Sequence, residues 1–325
     1  MTGQEIFGGV SALSCRVNEG RDRTWLVALA TAMWGTDALW RMPLATSLPS
    51  ASVVFWEHLI IVVLLAPFLP RAWRALRACG WRERIAVVVV GAGSSALATT
   101  LFTAAFTFGD PVTPLVLQKL QPIFAAVAAL LVLHEQLRGR YFAFALPALA
   151  GAWLLAFKNP LDVEVSQLAP ALLAVGAAVL WAAGTVLGRL VSRSIPARDV
   201  TTLRFSIGLP TAAVILLFTG APVAVGWDNA LGLLLLALIP GLLALWLYYV
   251  GLRSTPAARA TLAELSFPAT AALVGVFVLG AQLSATQWTG FAIVVAMVAG
   301  LGWHEHVSRT KLVATPARPA PVTGG

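Results

Sequence analysis

Ten times along the chain, an apolar run near 20 residues long is closed by a charge, a proline or a glycine cluster. The runs begin near Trp25, Ser50, Ile85, Val112, Arg138, Leu168, Val200, Asp228, Ala257 and Ser284. About 20 mostly apolar residues are what a helix needs to cross the hydrocarbon core. Within that core the backbone must satisfy its own hydrogen bonds. The runs lack strand-like alternation and are too long for strands. The fold class is therefore all-α integral membrane, with ten transmembrane helices in the lipid bilayer. Only 11% of the 325 residues are charged and mean hydropathy is +0.84, where soluble domains carry roughly 25% charged residues.

A net charge of +8 and a pI near 10.5 would point to nucleic acid in a soluble protein. Here the arginines fall in the short gaps between runs, so the charge sets topology and no nucleic-acid partner is expected. Counting gap by gap, 17 Lys and Arg lie on the side of the termini and only Lys158 on the other. By the positive-inside rule both termini are cytoplasmic and the protein sits in the plasma (inner) membrane. Cys15 and Cys79 then lie on the reducing side as free thiols. Arg16 to Arg23 lead straight into a full-length span, which reads as an uncleaved first helix. The Pro/Gly-rich tail Thr315–Gly325 reads as disordered.

The chain repeats itself. Pro122–Leu137, "PIFAAVAALLVLHEQL", aligns without gaps to Pro268–Leu283, "PATAALVGVFVLGAQL", at an offset of 146. Trp34 and Trp181 are 147 apart, and so are Glu57 and Arg204. Spans one to five and six to ten are thus two copies of one unit. Five is odd, so the second copy enters the membrane from the opposite side. Such inverted repeats are a common transporter plan, with the substrate site near the midplane between them. The expected layout is an N-terminal segment 1–24, a first repeat 25–157, a connecting loop 158–167, a second repeat 168–303 and a tail 304–325.

From Trp25 to Trp303 the chain resembles the drug/metabolite transporter superfamily in its ten-helix EamA branch. The resemblance rests on "WGTDALWRM" in span one, "LQPIFAAVAALLVLHEQL" in span four, "WAAGTVLGRL" in span six and "YYVGLRSTPAARATLAELSFP" across spans eight and nine. It implies an exporter or permease of amino acids, metabolites or drugs, with spans five and ten peripheral. Glu135 matches the family's glutamate at the end of span four, but the second copy has Ala281 there. Where such proteins often carry an arginine in span two this chain has Glu57; the second copy keeps the arginine, as Arg204.

Charges inside a span cost several kcal/mol unless they meet a cavity or a partner. At about 1.5 Å per residue, Asp37, Arg41, Glu57, His58 and Lys119 gather toward the outer face, all from the first repeat. Arg204, Arg259 and Glu264 mirror them toward the inner face. Gln118 corresponds to Glu264. Glu57 is expected near Lys119 or Arg41, and Arg204 near Glu264. Each pair reads either as a lock on helix packing or as a gate. His58 reads either as a satisfied buried histidine or as a proton relay. Thr99, Thr103 and Thr107 share a face of span three and either line a cavity or bond back to helix carbonyls. Trp246, Tyr248 and Tyr249 either stack on substrate or form an interfacial belt.

No Walker A, GxSxG or HExxH pattern occurs in the sequence, so neither nucleotide-driven pumping nor hydrolysis is indicated. "HEH", His304–His306, reads as an interface anchor rather than a metal site. No catalytic residue, metal or cofactor is expected. The reading is a permease or exporter moving a small-molecule solute by alternating access between the repeats, with protons a candidate coupling ion. An intramembrane enzyme and a non-transporting scaffold are the alternatives.

Overall fold

In a computed structural model the described residues of each of the ten runs are mainly helical. The structure describes residues 22–106, 117–118, 120–135, 139–157, 159–161, 168–278, 280 and 282–313. For some helical positions, among them Thr103 and 301–313, it describes the backbone alone. Lys119, Thr107, Cys15, most of the N-terminal segment, the side chains of the HEH tract and the tail beyond Val313 lie outside the described residues.

The first pass, α1, is two half-helices, Thr24–Trp34 and Asp37–Ser47. Then come α2 (Ser50–Ala78), α3 (three continuous pieces, Trp81–Val88, Val89–Leu97 and Ala98–Phe106), α4 (Gln121–Leu133) and α5 (Gly139–Ala156). The second repeat gives α6 (Leu168–Ser194), α7 (Ala197–Thr219), α8 (Trp227–Leu252), α9 (Ala257–Ala263 and Ser266–Phe277) and α10 (Ala285–Val313). Six of these, α2, α3 and α6 to α9, are long and apolar enough to cross a membrane singly. The apolar stretches of α4, α5 and α10 are shorter, and α1 spans only as two halves.

Packing obeys a twofold rule. α1 packs on α8 as α6 packs on α3; α1 packs on α9 as α6 packs on α4; α2 meets α8 as α7 meets α3. The pairs α2/α7, α4/α9 and α5/α10 map onto themselves. Exchanging each helix with the one five places later therefore preserves the neighbours. With five passes per repeat, the axis that does this lies in the membrane plane.

α5 and α10 pack chiefly on each other, at the side of the bundle. Gly151 and Gly290 permit it: a Cβ on Gly290 would lie 2.5 Å from the Gly151 carbonyl oxygen. Small residues at such contacts let backbones approach closely.

Four helices among the described residues are irregular where the repeats meet: α1, α3, α8 and α9. α3 is π-helical over Val89–Leu97 and α8 over Ala237–Leu243, matching positions at the 147 offset. Pro240 helps loosen the second, since it donates no hydrogen bond. Gly91 lies against the α7 backbone at Arg204, and Gly241 against Ile61 and Glu57 of α2. α1 breaks at Gly35, where a Cβ would sit 2.6 Å from Thr270 of α9. Irregular turns in membrane helices are tolerated where protein or a cavity surrounds them, and π segments recur at functional sites.

Candidate functional site

A partly open cavity of about 140 Å³ lies on the pseudo-twofold axis between the repeats. Its walls come in pairs at the 147 spacing: Trp34 with Trp181, Glu57 with Arg204, and His58 with Phe205. Ser94 and Ser95 from the π segment of α3 line it, as do Pro240 and Gly241 from that of α8. The three pairs share a face because α1, α2 and their counterparts α6, α7 present the same face across the axis.

The charges are distributed unequally. Arg41 donates from Nη2 to Asp37 Oδ1 at 2.9 Å and to Glu57 Oε2 at 3.2 Å, and from Nε to Asp37 Oδ2. The i,i+4 spacing on α1 brings Asp37 and Arg41 together. Asp37 also opens the second half of α1, where the helix dipole favours an anion. Arg204 has no carboxylate within ion-pair distance among the described residues. It donates from Nη1 to the Tyr249 hydroxyl at 3.0 Å and from Nε to Ser95 Oγ at 3.4 Å.

His58 is satisfied at both nitrogens. Its Nδ1 lies 2.8 Å from the Val54 carbonyl, which only accepts, so Nδ1 carries a proton. Nε2 lies 3.0 Å from Ser95 Oγ. With the imidazole neutral, Ser95 donates to His58 while accepting from Arg204, a single directed chain. Gly208 makes room for the ring: a Cβ there would lie 2.8 Å from His58 Cδ2. Phe205 meets the ring edge-on at 5.1 Å.

Glu264 belongs to an adjoining cluster at the break of α9. Gln121 Nε2 and Thr185 Oγ1 each donate to it at 2.9 Å, and the Tyr248 hydroxyl at 2.7 Å. Tyr248 stacks on Trp34 at 5.1 Å and touches Tyr249 at 5.6 Å. The two clusters thus join through neighbouring tyrosines; Arg204 was expected near Glu264, and no ion pair closes between them.

The remaining sequence candidates divide. Arg41 is the partner that Glu57 takes; Lys119 lies outside the described residues, as does the Thr103 side chain. Gln118 is half-buried, and it is Gln121 that reaches Glu264. Tyr249 is fully buried behind Arg204, whereas Trp246 is 42% exposed on the outside of the bundle and does not line the cavity. Thr99 lines the cavity and also bonds back to the Ser95 carbonyl at 2.9 Å. Ser95, Thr185 and the two tryptophans are site residues that side-chain charge did not single out. The 147 spacing of Trp34 and Trp181 was their one visible signal.

A second charged cluster lies at the arginine-rich end. α4 stops at His134, which adopts the left-handed conformation at φ 53°. That turn brings the Glu135 N–H back to the Ala129 carbonyl at 3.1 Å, the usual way a helix end is satisfied. The Glu135 carboxylate then accepts from the Ala257 N–H at 2.8 Å, capping the start of α9. It also lies 3.7 Å from Arg189 Nε and 3.5 Å from Arg193 Nη2 on α6. Arg189 in turn donates to the Leu252 and Arg253 carbonyls at the end of α8. Asp22 accepts from Arg259 at the same end. The positions equivalent to Glu135, Arg189 and Arg193 are Ala281, Met42 and Thr46, so these charges have no counterparts in the other repeat.

Two five-helix repeats around a polar cavity buried among membrane helices define a membrane transporter, not an enzyme. The chain belongs to the EamA-like transporter family, whose model matches residues 24–157 and 168–303. The riboflavin transporter ImpX of Fusobacterium nucleatum subsp. nucleatum (strain ATCC 23726 / VPI 4351) is 32% identical over 274 residues, 81% of this chain and 91% of that one. The uncharacterized transporter YwfM of Bacillus subtilis (strain 168) is 26% identical over 283 residues, 85% of this chain and 92% of that one. A crystal structure superposes at a TM-score of 0.71, with 20% identity over 88% of this chain and 99% of its own, which shows the shared fold.

Proposed function

We propose that this transporter carries a small organic solute by alternating access, with residues 25–157 and 168–303 rocking about the cavity between them. The observation behind this reading is the cavity's place: its paired walls, Trp34/Trp181 and Glu57/Arg204, belong one to each repeat. A solute seated there touches both halves, which is what alternating access about a fixed site requires. The 140 Å³ enclosed is close to what holds one aromatic ring, so a larger solute extends into the mouth. The protein sits in the plasma membrane with both termini cytoplasmic, following its Lys/Arg asymmetry. On that orientation the Glu135 cluster closes the inner end.

Riboflavin is the first solute to test, because a relative of 32% identity bears its name and because a planar ring system suits two tryptophan walls. Proteoliposomes holding the full chain and loaded with unlabelled riboflavin should accumulate labelled riboflavin transiently. Counterflow equal to that of empty liposomes, for riboflavin and for a panel of aromatic amino acids and amines alike, would refute the carrier reading. Proton coupling is the second part of the proposal. Glu57 is its carrier, as the cavity carboxylate held by an arginine that a second acid already shares.

A further inference from the structure

We infer that the cavity selects an aromatic solute carrying both an N–H donor and an oxygen acceptor, with the donor received by Glu57 and the acceptor by Arg204. This rests on the carrier reading above and adds to it the chemistry of the cargo.

Glu57 and Arg204 occupy equivalent positions on α2 and α7, which pack against each other across the axis. A strict duplication would place like groups there. This chain places opposite signs, so the cavity is not symmetric to a ligand within it. Arg204 is held by two neutral oxygens, and no carboxylate of the described residues pairs with it. A guanidinium has five N–H donors in a planar fork suited to carboxylate or carbonyl oxygens. Two of its nitrogens are engaged, by Ser95 and Tyr249, and neither partner supplies counter-charge.

Glu57 has spare capacity of the other kind. Its Oε2 meets Arg41, whose fork is already closed on Asp37. Its Oε1 receives no hydrogen bond among the described residues and sits 3.3 Å from where a Cβ on Gly241 would be. Glu57 and Gly241 both line the cavity, and a side chain at 241 would crowd this oxygen. Trp34, Trp181 and Phe205 supply the apolar walls. A solute with only one of the two groups leaves the other residue's demand unmet inside the membrane, where such groups are costly.

The complementary chemistry occurs in a zwitterionic aromatic amino acid and in the cyclic imide of a flavin. Equilibrium dialysis of the full chain in nanodiscs separates them. The labelled probes are phenylalanine, phenethylamine, 3-phenylpropionate, riboflavin and N3-methylriboflavin. On the scaffold that binds, the two-ended member should exceed its one-ended analogues by roughly tenfold to hundredfold, the size of one charged hydrogen bond. Arg204→Gln should erase the advantage of phenylalanine over phenethylamine. Glu57→Gln should erase its advantage over 3-phenylpropionate, and Glu57→Leu, which removes the acceptor oxygen as well, should erase that of riboflavin over its N3-methyl derivative. Arg204→Lys, which keeps the charge, should preserve the acceptor preference and controls for folding. Equal binding of one- and two-ended probes by the wild type overturns the inference, as does a uniform loss across all probes in both Gln variants. Binding of none of the five overturns it as well. Counterflow keeps the two readings apart: one-ended solutes carried as fast as two-ended ones would leave the carrier standing and remove only the selectivity.

Discussion

Glu135→Gln isolates the ion pairs of the arginine-rich end while keeping the shape and the Ala257 cap, because a glutamine oxygen still accepts that N–H. What is lost is the charge facing Arg189 at 3.7 Å and Arg193 at 3.5 Å. Two unit charges near 4 Å attract by about 4 kcal/mol at an effective dielectric of about 20. Desolvation offsets much of this, and a fully exposed pair is worth only about 0–1 kcal/mol. Glu135 and Arg189 are 13% and 10% exposed and Arg193 is 36% exposed, so the net effect should fall near 1–2 kcal/mol, between the exposed and buried limits. These contacts tie α4 of one repeat to α6 and α9 of the other, so separating the repeats at that end, as alternating access requires, would break them. The same increment therefore shifts the closed–open balance by about tenfold. Ser192 reports it: it is fully buried on α6 between the two arginines, and its hydroxyl has no hydrogen-bond partner. In a background with Cys15 and Cys79 replaced by serine, Ser192→Cys should react with a maleimide about tenfold faster when Glu135→Gln is added. A rate unchanged within about twofold, in protein that remains folded, would refute the latch and the energy assigned to it.

Other outcomes follow from single contacts. Gly208→Ala places a methyl group 2.8 Å from the His58 ring and 3.0 Å from the Gly91 carbonyl; a destabilisation of about 1–3 kcal/mol should appear as a lowered melting temperature in detergent. Ser95→Ala removes the link from Arg204 to His58 and should cost about 1–2 kcal/mol, with a change in the His58 tautomer ratio by nitrogen-15 NMR as its signature. Glu57→Gln should abolish accumulation driven by a pH step while solute exchange at equal pH persists at a raised half-saturating concentration; a mutant that still accumulates removes Glu57 as the coupling group. Cysteines placed at Arg77 or Arg198 should be labelled only from the cytoplasmic side, and labelling from the outside would reverse the topology.

The ten passes, the duplication and the pairing of Glu57 with Arg204 were legible because hydropathy and spacing report depth. Depth is not azimuth, and that is where the reading stopped. Arg204 and Glu264 were expected near each other, and each takes its hydrogen bonds from other partners, Tyr249 with Ser95 and Tyr248 with Thr185 and Gln121. A π segment carries an extra residue in its turn, so faces counted at 3.6 residues per turn rotate beyond it. Tyr248, Tyr249 and Trp246 all follow the segment Ala237–Leu243. Two of them turn inward and Trp246 turns out, which helical spacing alone could not assign. Ser95 was hidden for the same reason, lying inside the segment Val89–Leu97. Glu135 was visible as a charge, but its cap on Ala257 depended on a left-handed histidine that no composition rule announces.

The two π segments also carry a chronology. Each amounts to one residue inserted into an otherwise regular helix, and the two coincide once the repeats are aligned at 147 residues. Parsimony places the insertion in the single five-helix ancestor, before its gene was doubled. The copies diverged after the doubling in the sign at Glu57 and Arg204 and in the charges at Glu135, Arg189 and Arg193, since the two copies differ there. The bends are thus the older inheritance, and the electrostatics were written later onto two halves that began alike.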